Sequence, residues 1–261
     1  MFVDRYPNFE KGRILKSEMM GNLRDYPRML TELYWEDYSN GIITGAEIRT
    51  GNHHLTVTRG IVKQAGRLYV LYEDYDLPYE ATGIETLVKL RFLDPVIRSD
   101  MVSYHAEIVL DEKSELEEYE LELGRFKLKQ GAQLRMNYQS FEDMATEYNT
   151  INLIHTQYAG RKRSTVAPAI THYFASELFK RGSRDVLDVS FAMQCLNGRS
   201  VERDVIEQYL SARLGTESKA FSNLSIHRSF TRILGGLSNG NTSGVTTQGR
   251  LYGGPQRMWV D

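Results

Sequence analysis

The feature that most restricts this chain is a series of short apolar runs between residues 41 and 130, punctuated by glycines. Val88, Leu90 and Phe92 alternate with Lys89 and Arg91, and Tyr104, Ala106, Ile108 and Leu110 alternate with His105 and Glu107. A period of two is that of a strand with one face on a core, so each run is read as a half-buried strand. Leu55, Val57, Ile61 and Val62 form shorter runs, broken by Gly51-Asn52 and Arg59-Gly60. Gln64-Ala65-Gly66 reads as a hairpin loop with Gly66 at positive φ, followed by a strand over residues 67–72. Tyr119, Leu121 and Leu123 hold one phase, and Phe126 and Leu128 the other, which predicts a β-bulge at Gly124. No helical pattern intervenes between these strands, so a doubly wound parallel sheet is not the expected class. The expectation is an antiparallel β-sandwich or small barrel over residues 41–130.

Helical patterns flank it, which makes the expected class α+β. In residues 1–40, Ile14, Leu15, Met19 and Leu23 recur at helical spacing. Pro27 is expected to end that helix and begin a second, carrying Met29, Leu30, Leu33, Tyr34 and Tyr38, with Ser39-Asn40-Gly41 as the stop. Residues 131–164 form a mixed connector, in which 149–154 reads as a short strand or an extended crossing. Residues 165–234 read as a C-terminal helical bundle. Its first helix is expected to be capped by Ser164 or Thr165 and to carry Ile170, Phe174 and Leu178; Arg181-Gly182-Ser183 ends it. The second carries Val186, Leu187, Phe191 and Leu196, and closes at Asn197-Gly198. Ser200 caps the third, which carries Val201, Val205, Ile206, Tyr209 and Leu210 and stops at Gly215; the fourth carries Phe221, Leu224, Phe230 and Ile233. Residues 235–261, rich in Gly, Ser, Asn and Thr, read as a flexible tail ending in Met258 and Trp259, an aromatic anchor for a partner.

Composition narrows the function. The 261 residues carry a formal net charge of −2, so no global field favours nucleic acid. Arg161-Lys162-Arg163 is a local basic run, read as a solvated loop and, secondarily, as a contact for a phosphate or an acidic partner. The single cysteine, Cys195, lies in an apolar stretch and reads as a buried small side chain; no intramolecular disulfide is available. The start of the chain lacks a basic segment followed by an apolar one, and no run of about 18 apolar residues occurs. The expectation is synthesis in the cytoplasm, without membrane insertion, and release only by lysis or within a particle.

The search for chemistry nominates no catalytic residue, no cofactor site and no metal site. Gly45 and Gly51 are not followed by Lys-Ser/Thr, so they do not form a nucleotide loop. His53 and His54 are adjacent, which on a strand points them to opposite faces; His105, His155, His172 and His227 are scattered. The acidic stretch of residues 111–122 is read as a solvated strand face and loop. Tyr72-Glu73-Asp74-Tyr75-Asp76 is read as an exposed turn flanked by aromatics, with Tyr72 and Tyr75 as candidate partner contacts.

One stretch resembles a known group. Gly41-Ile42-Ile43-Thr44-Gly45-Ala46-Glu47-Ile48 is followed by Leu55-Thr56-Val57-Thr58-Arg59-Gly60-Ile61-Val62 and then by Gly66-Arg67-Leu68-Tyr69. Val88-Lys89-Leu90-Arg91-Phe92-Leu93-Asp94 and Leu121-Glu122-Leu123-Gly124-Arg125-Phe126-Lys127-Leu128 complete the pattern. It resembles the β-domain of phage tail-fibre and baseplate-appendage proteins, found on contractile tails and phage tail-like injection particles. The likeness covers about a third of the chain. It implies no catalytic residue and no cofactor. It implies a homo-oligomer, of trimeric form, that docks on other baseplate or tail subunits. Two other readings stand beside it: a carbohydrate- or cell-surface-binding module with Tyr69, Tyr72, Tyr75 and Tyr79 as a sugar platform, and a nucleic-acid-associated enzyme.

Overall fold

The computed structural model describes residues 2–113, 115–216 and 220–238. The architecture is α+β, with strands in the first half and helices at both ends. Strands β1 (Gly41–Gly45), β4 (Gly60–Gln64) and β5 (Arg67–Leu71) form one sheet in the order β1-β4-β5. Strands β2 (Ile48–Thr50), β3 (His54–Val57) and β6 (Tyr75–Pro78) form a second, in the order β2-β3-β6. Strands β7 (Glu85–Phe92), β10 (Ala106–Asp111) and β11 (Glu120–Lys127) form a third, in the order β10-β7-β11, and β8 (Val96–Ile97) pairs with β9 (Val102–Ser103) as a ribbon. Each of these strand pairs is antiparallel, as the turn glycines and two-residue alternation predict.

Glycine is required where the first two sheets meet. Gly45 takes φ +61°, and a Cβ there would strike the Arg59 carbonyl; a Cβ on Gly60 would strike the Ala46 amide. Two backbones cross at a separation that no side chain permits. Gly66 takes φ +75°, as its hairpin position requires. The predicted bulge is present: the register of β11 on β7 shifts between Glu122 and Gly124, which turns Phe126 into the core with Leu121 and Leu123.

The expectation for β7 is corrected. It is the centre of its sheet and is buried on both faces rather than half-buried. Lys89 is 1% exposed, and its Nζ donates to Glu120 Oε2 at 2.6 Å and pairs with Asp111 at 2.8 Å. Arg91 donates to Glu120 Oε1 at 3.1 Å. Burial pushes the Glu120 carboxyl up, but hydrogen bonds from Lys89, the Glu117 amide and Arg91 outweigh it and hold the group below its ordinary value. Glu122 is buried too, with Arg125 Nη2 donating to it at 2.6 Å. The reading of residues 111–122 as wholly solvated therefore fails at Glu120 and Glu122: alternation marks which residues share a face, and on this face the charged side chains pair with one another and are buried in that network.

The connector holds a 3₁₀ turn at Glu142–Ala145, and residues 150–153 run beside β11, between Asn149 at φ +63° and a turn at Ile154. Asn152 and Arg125 exchange both backbone hydrogen bonds, at 2.8 and 3.0 Å, while Ile151 and Ile154 are fully buried. The helices that follow are α2 (Pro168–Lys180), α3 (Val186–Asn197), α4 (Arg203–Leu214) and α5 (Asn223–Ser238). Phe174 stacks on Phe230 and Phe191 on Tyr209, each at 4.0 Å between ring centres, and Phe141 stacks on His227 at 4.6 Å. Asp188 is fully buried and accepts from Tyr209 Oη at 2.7 Å, Arg213 Nε at 2.9 Å and Ser183 Oγ at 2.6 Å. The apolar core runs without a break from Ile42 to Leu234.

Three helix boundaries differ from expectation. α2 begins at Pro168, not at Ser164 or Thr165, because proline suits the first helical position and Thr165 is already bound to the Val201 carbonyl. α4 begins at Arg203, with Glu202 rather than Ser200 at its cap position. α5 runs through Gly235 and Gly236 to Ser238, past the point where the sequence reading starts a flexible tail. Burial of Ile233 and Leu234 just before the glycines offsets their roughly 1 kcal/mol helix penalty each.

Candidate functional site

Residues 2–34 contain no buried side chain among those described. Residues 2–16 form neither helix nor strand and leave Phe2, Tyr6, Phe9, Ile14 and Leu15 exposed. They lead into helix α1 (Ser17–Tyr34), which continues straight through Pro27. The expected break there does not occur; proline removes one N–H, and Thr31 Oγ1 donates to the Pro27 carbonyl at 2.7 Å in the turn that follows.

An uninterrupted α1 aligns residues that two helices would have kept apart. Met19, Leu23, Tyr26, Leu30 and Leu33 follow one another at intervals of 4, 3, 4 and 3, the alternation of a coiled-coil seam. Leu30 is 60% and Leu33 64% exposed. The charges lie elsewhere on the helix: Arg24 pairs with Asp25 at 2.6 Å and Arg28 with Glu32 at 2.7 Å.

The helix is tethered at its C-terminal end. Lys63, buried on β4, donates its Nζ to the carbonyls of Trp35, Glu36 (3.0 Å) and Tyr38 (2.6 Å). Those carbonyls follow the last turn of α1, where a cation meets both free acceptors and the negative end of the helix dipole. Ser39 and Lys162 add backbone bonds to Gly160 and Asp37, at 2.9 and 2.8 Å. Between α1 and the body lies a cleft of about 1150 Å³, floored by Tyr69, Val70, Leu71 and Tyr72 and walled by Val102 and Tyr104. The face that α1 turns to this cleft carries Arg24, Pro27, Arg28, Thr31 and Glu32, with Leu23 at its margin. At about 100° per residue, that face centres roughly 150° around the helix from the seam. The apolar seam is thus aimed away from the body.

Among the candidates from sequence, Tyr72 (82% exposed) and Tyr75 (49%) are on the surface near the cleft and β6. The four-ring platform does not form: Tyr69 packs edge-on against Phe92 and Tyr79 against Phe126, with the Tyr79 hydroxyl bound to the Gly51 carbonyl at 3.1 Å. Arg161, Lys162 and Arg163 are exposed, yet two are engaged within the chain. Arg163 pairs with Glu207 at 2.7 Å and with Asp204, and Arg161 lies against the Tyr38 hydroxyl, which holds its guanidinium above its ordinary pKa. The run fastens the base of the arm to α4. Met258 and Trp259 lie outside the described residues. Cys195 is fully buried, and burial pushes its thiol up to about 12, far from a reactive thiolate. Among the described residues, no group of three or more His, Cys, Asp and Glu is placed to hold a metal ion, and no helix is long and apolar enough to cross a membrane.

A second cavity, of about 530 Å³, lies between the β1–β2 corner and the start of α2, lined by Thr44, Glu47, Tyr158, His172 and Arg199. Arg199 donates to Thr44 Oγ1 at 2.9 Å, and His172 Nε2 lies 3.0 Å from the Gly198 carbonyl, so these groups knit the helices to the sheets. The sequence reading missed Lys63 and the continuous seam. The seam spacing was legible once Pro27 is not taken as a break; a lone Lys at the end of a short strand gives no sign that it binds the cap of a helix 28 residues earlier.

No family model matches the chain, and no curated protein matches it. Among solved structures it is similar to one described as the crystal structure of TssK, with a TM-score of 0.44 and 9% identity over 91% of this chain and 72% of that one. It is also similar to a chain of the TssK-TssF-TssG baseplate subcomplex of the type VI secretion system, solved by cryo-electron microscopy, with a TM-score of 0.41 and 10% identity over 90% of this chain and 98% of that one.

Proposed function

We propose that this chain is a non-catalytic structural component of a phage tail-like particle, a baseplate or tail-fibre attachment protein that docks on neighbouring subunits. The observation that carries the reading is the arm. A folded body with a continuous core extends 33 residues, 2–34, that bury nothing of their own, and it fastens them at their base by hydrogen bonds. An exposed apolar stripe on a tethered helix is costly in water and is retained where another chain covers it. The resemblance of residues 41–128 to tail-fibre and baseplate-appendage β-domains supplies the kind of particle.

The test is to purify the tagged chain from its native cell and examine what accompanies it, by mass spectrometry and negative-stain electron microscopy. The expected result is recovery of sheath, tube and baseplate subunits, with the chain at one end of a tubular particle. Recovery of the chain with glycan-bearing cell-wall material, in a form lost on Tyr72→Ala, would instead favour the surface-binding module.

A further inference from the structure

We infer that α1 is a self-association element: a second copy of this chain lays its own α1 along the seam formed by Met19, Leu23, Tyr26, Leu30 and Leu33. This rests on the structural-component reading and names the partner of the arm.

Three observations select a second copy over other occupants. The first is spacing. Intervals of 4 and 3 in alternation repeat every 3.5 residues on average, and that repeat keeps a stripe in contact with another helix that winds around it. A flat surface or an extended peptide does not demand it, whereas an identical helix meets it with its own identical stripe.

The second is charge. α1 carries Glu18, Asp25 and Glu32 against Arg24 and Arg28, and four of these five are paired with each other. A lipid surface or a nucleic acid would call for a basic polar face, and there is none. The one charge left over, Glu18, is a single carboxylate and not a patch for an oppositely charged foreign partner to read.

The third is area and access. Met20, Leu23, Tyr26, Met29, Leu30, Leu33 and Tyr34 are all exposed. At roughly 100 Å² each, two helices would bury on the order of 1,000 Å² in total, the level at which specific interfaces begin. The helix is about 27 Å long, from 18 residues at about 1.5 Å each. Its polar face is turned to its own body and Lys63 fixes its base, so Tyr26, Leu30 and Leu33 of the seam are presented outward without rearrangement, while Leu23 borders the cleft and Met19 is half-buried.

The experiment is sedimentation equilibrium on the whole chain over a hundredfold concentration range. It compares wild type, the seam variant Leu30→Glu plus Leu33→Glu, and the off-seam variant Glu18→Lys, with a thermal melt of each. Wild type and Glu18→Lys are expected to reach an integral multiple of the chain mass. The seam variant is expected to stay monomeric at every concentration with an unchanged melting temperature, since neither leucine is part of the core. A wild-type chain that is monomeric throughout, or an oligomer that survives both glutamates, overturns the inference. If such a monomer still co-purifies with particle subunits, the structural reading stands without the seam, so the two fail separately.

Discussion

Residues 41–238 and residues 2–34 of this chain solve opposite problems. The body hides even its charges: Lys89, Glu120, Glu122 and Asp188 are buried and bound to partners. The arm hides nothing, and its apolar residues recur at a spacing as regular as any in the core. Both regions obey the same rule, that apolar faces are to be covered, but only the body covers its faces from within the chain. The difference teaches where to look for stability and where for assembly: substitutions in one should change folding and in the other association.

Substitutions in the body should cost most. Phe230→Ala removes a ring stacked at 4.0 Å on Phe174 and in contact with Phe141, Phe191 and Tyr209. Urea unfolding should register a loss of about 3–5 kcal/mol. A loss below about 1 kcal/mol would mean that the helices are not held by this cluster. Lys89→Ala leaves Glu120 and Asp111 sharing only the part-exposed Arg91, without their buried cation, at about 3 kcal/mol by the same assay. Adding Glu120→Gln to that variant should recover part of the loss.

Acid should weaken the body progressively. Hydrogen bonding from Lys89 holds Asp111 below the usual carboxylate range, and Arg135 does so for Asp143. Their stabilisation is complete above the unfolded carboxylate values near 4 and is lost as pH falls through the lower folded values. Burial depresses His227 and His155, so the folded chain takes up these protons at lower pH than the unfolded chain, whose histidines protonate below about 6.5. Both effects have the same sign, so urea midpoints should fall in order at pH 7, 5.5 and 4. A midpoint that rises on acidification would contradict these assignments.

The joint between the regions should matter less, and the arm least. Lys63→Met leaves the carbonyls after α1 without their cation, worth about 1.5–3 kcal/mol if all three bonds count as one charged contact. Its signature should be local: proteolysis near residues 35–39 at an unchanged core. Leu30→Glu alone should shift the melting free energy of the monomer by no more than about 0.5 kcal/mol, because the side chain is 60% exposed. A larger shift would mean that the seam is packed within the chain after all.

Local chemistry explains which parts of this were legible in the sequence. Period-two alternation located the strands, and the phase change at Gly124 located the bulge, because both are written in consecutive residues. Arg181-Gly182, Asn197-Gly198 and Gly215 marked helix ends for the same reason. Burial of Lys89 was not legible, since it depends on Asp111 and Glu120 arriving from 22 and 31 residues away. Pro27 misled because a proline's local cost was weighed without the rest of the helix. Tyr69 and Tyr79 misled because an amphipathic ring reads alike whether its face meets solvent or Phe92 and Phe126. The basic run at 161–163 carried no sign of Asp204 and Glu207, which reach it from α4.

The central claim, that α1 is covered by another copy and not by its own body, is tested most directly by hydrogen exchange on the intact chain at high and low concentration. An 18-residue helix with no buried side chain is marginal alone in water. The account predicts that the α1 amides are protected at high concentration and exchange freely on dilution and in the Leu30→Glu plus Leu33→Glu variant, while β7, β11 and α2 stay protected throughout. Equal protection of α1 in every sample would contradict it, because the body would then be what holds the helix.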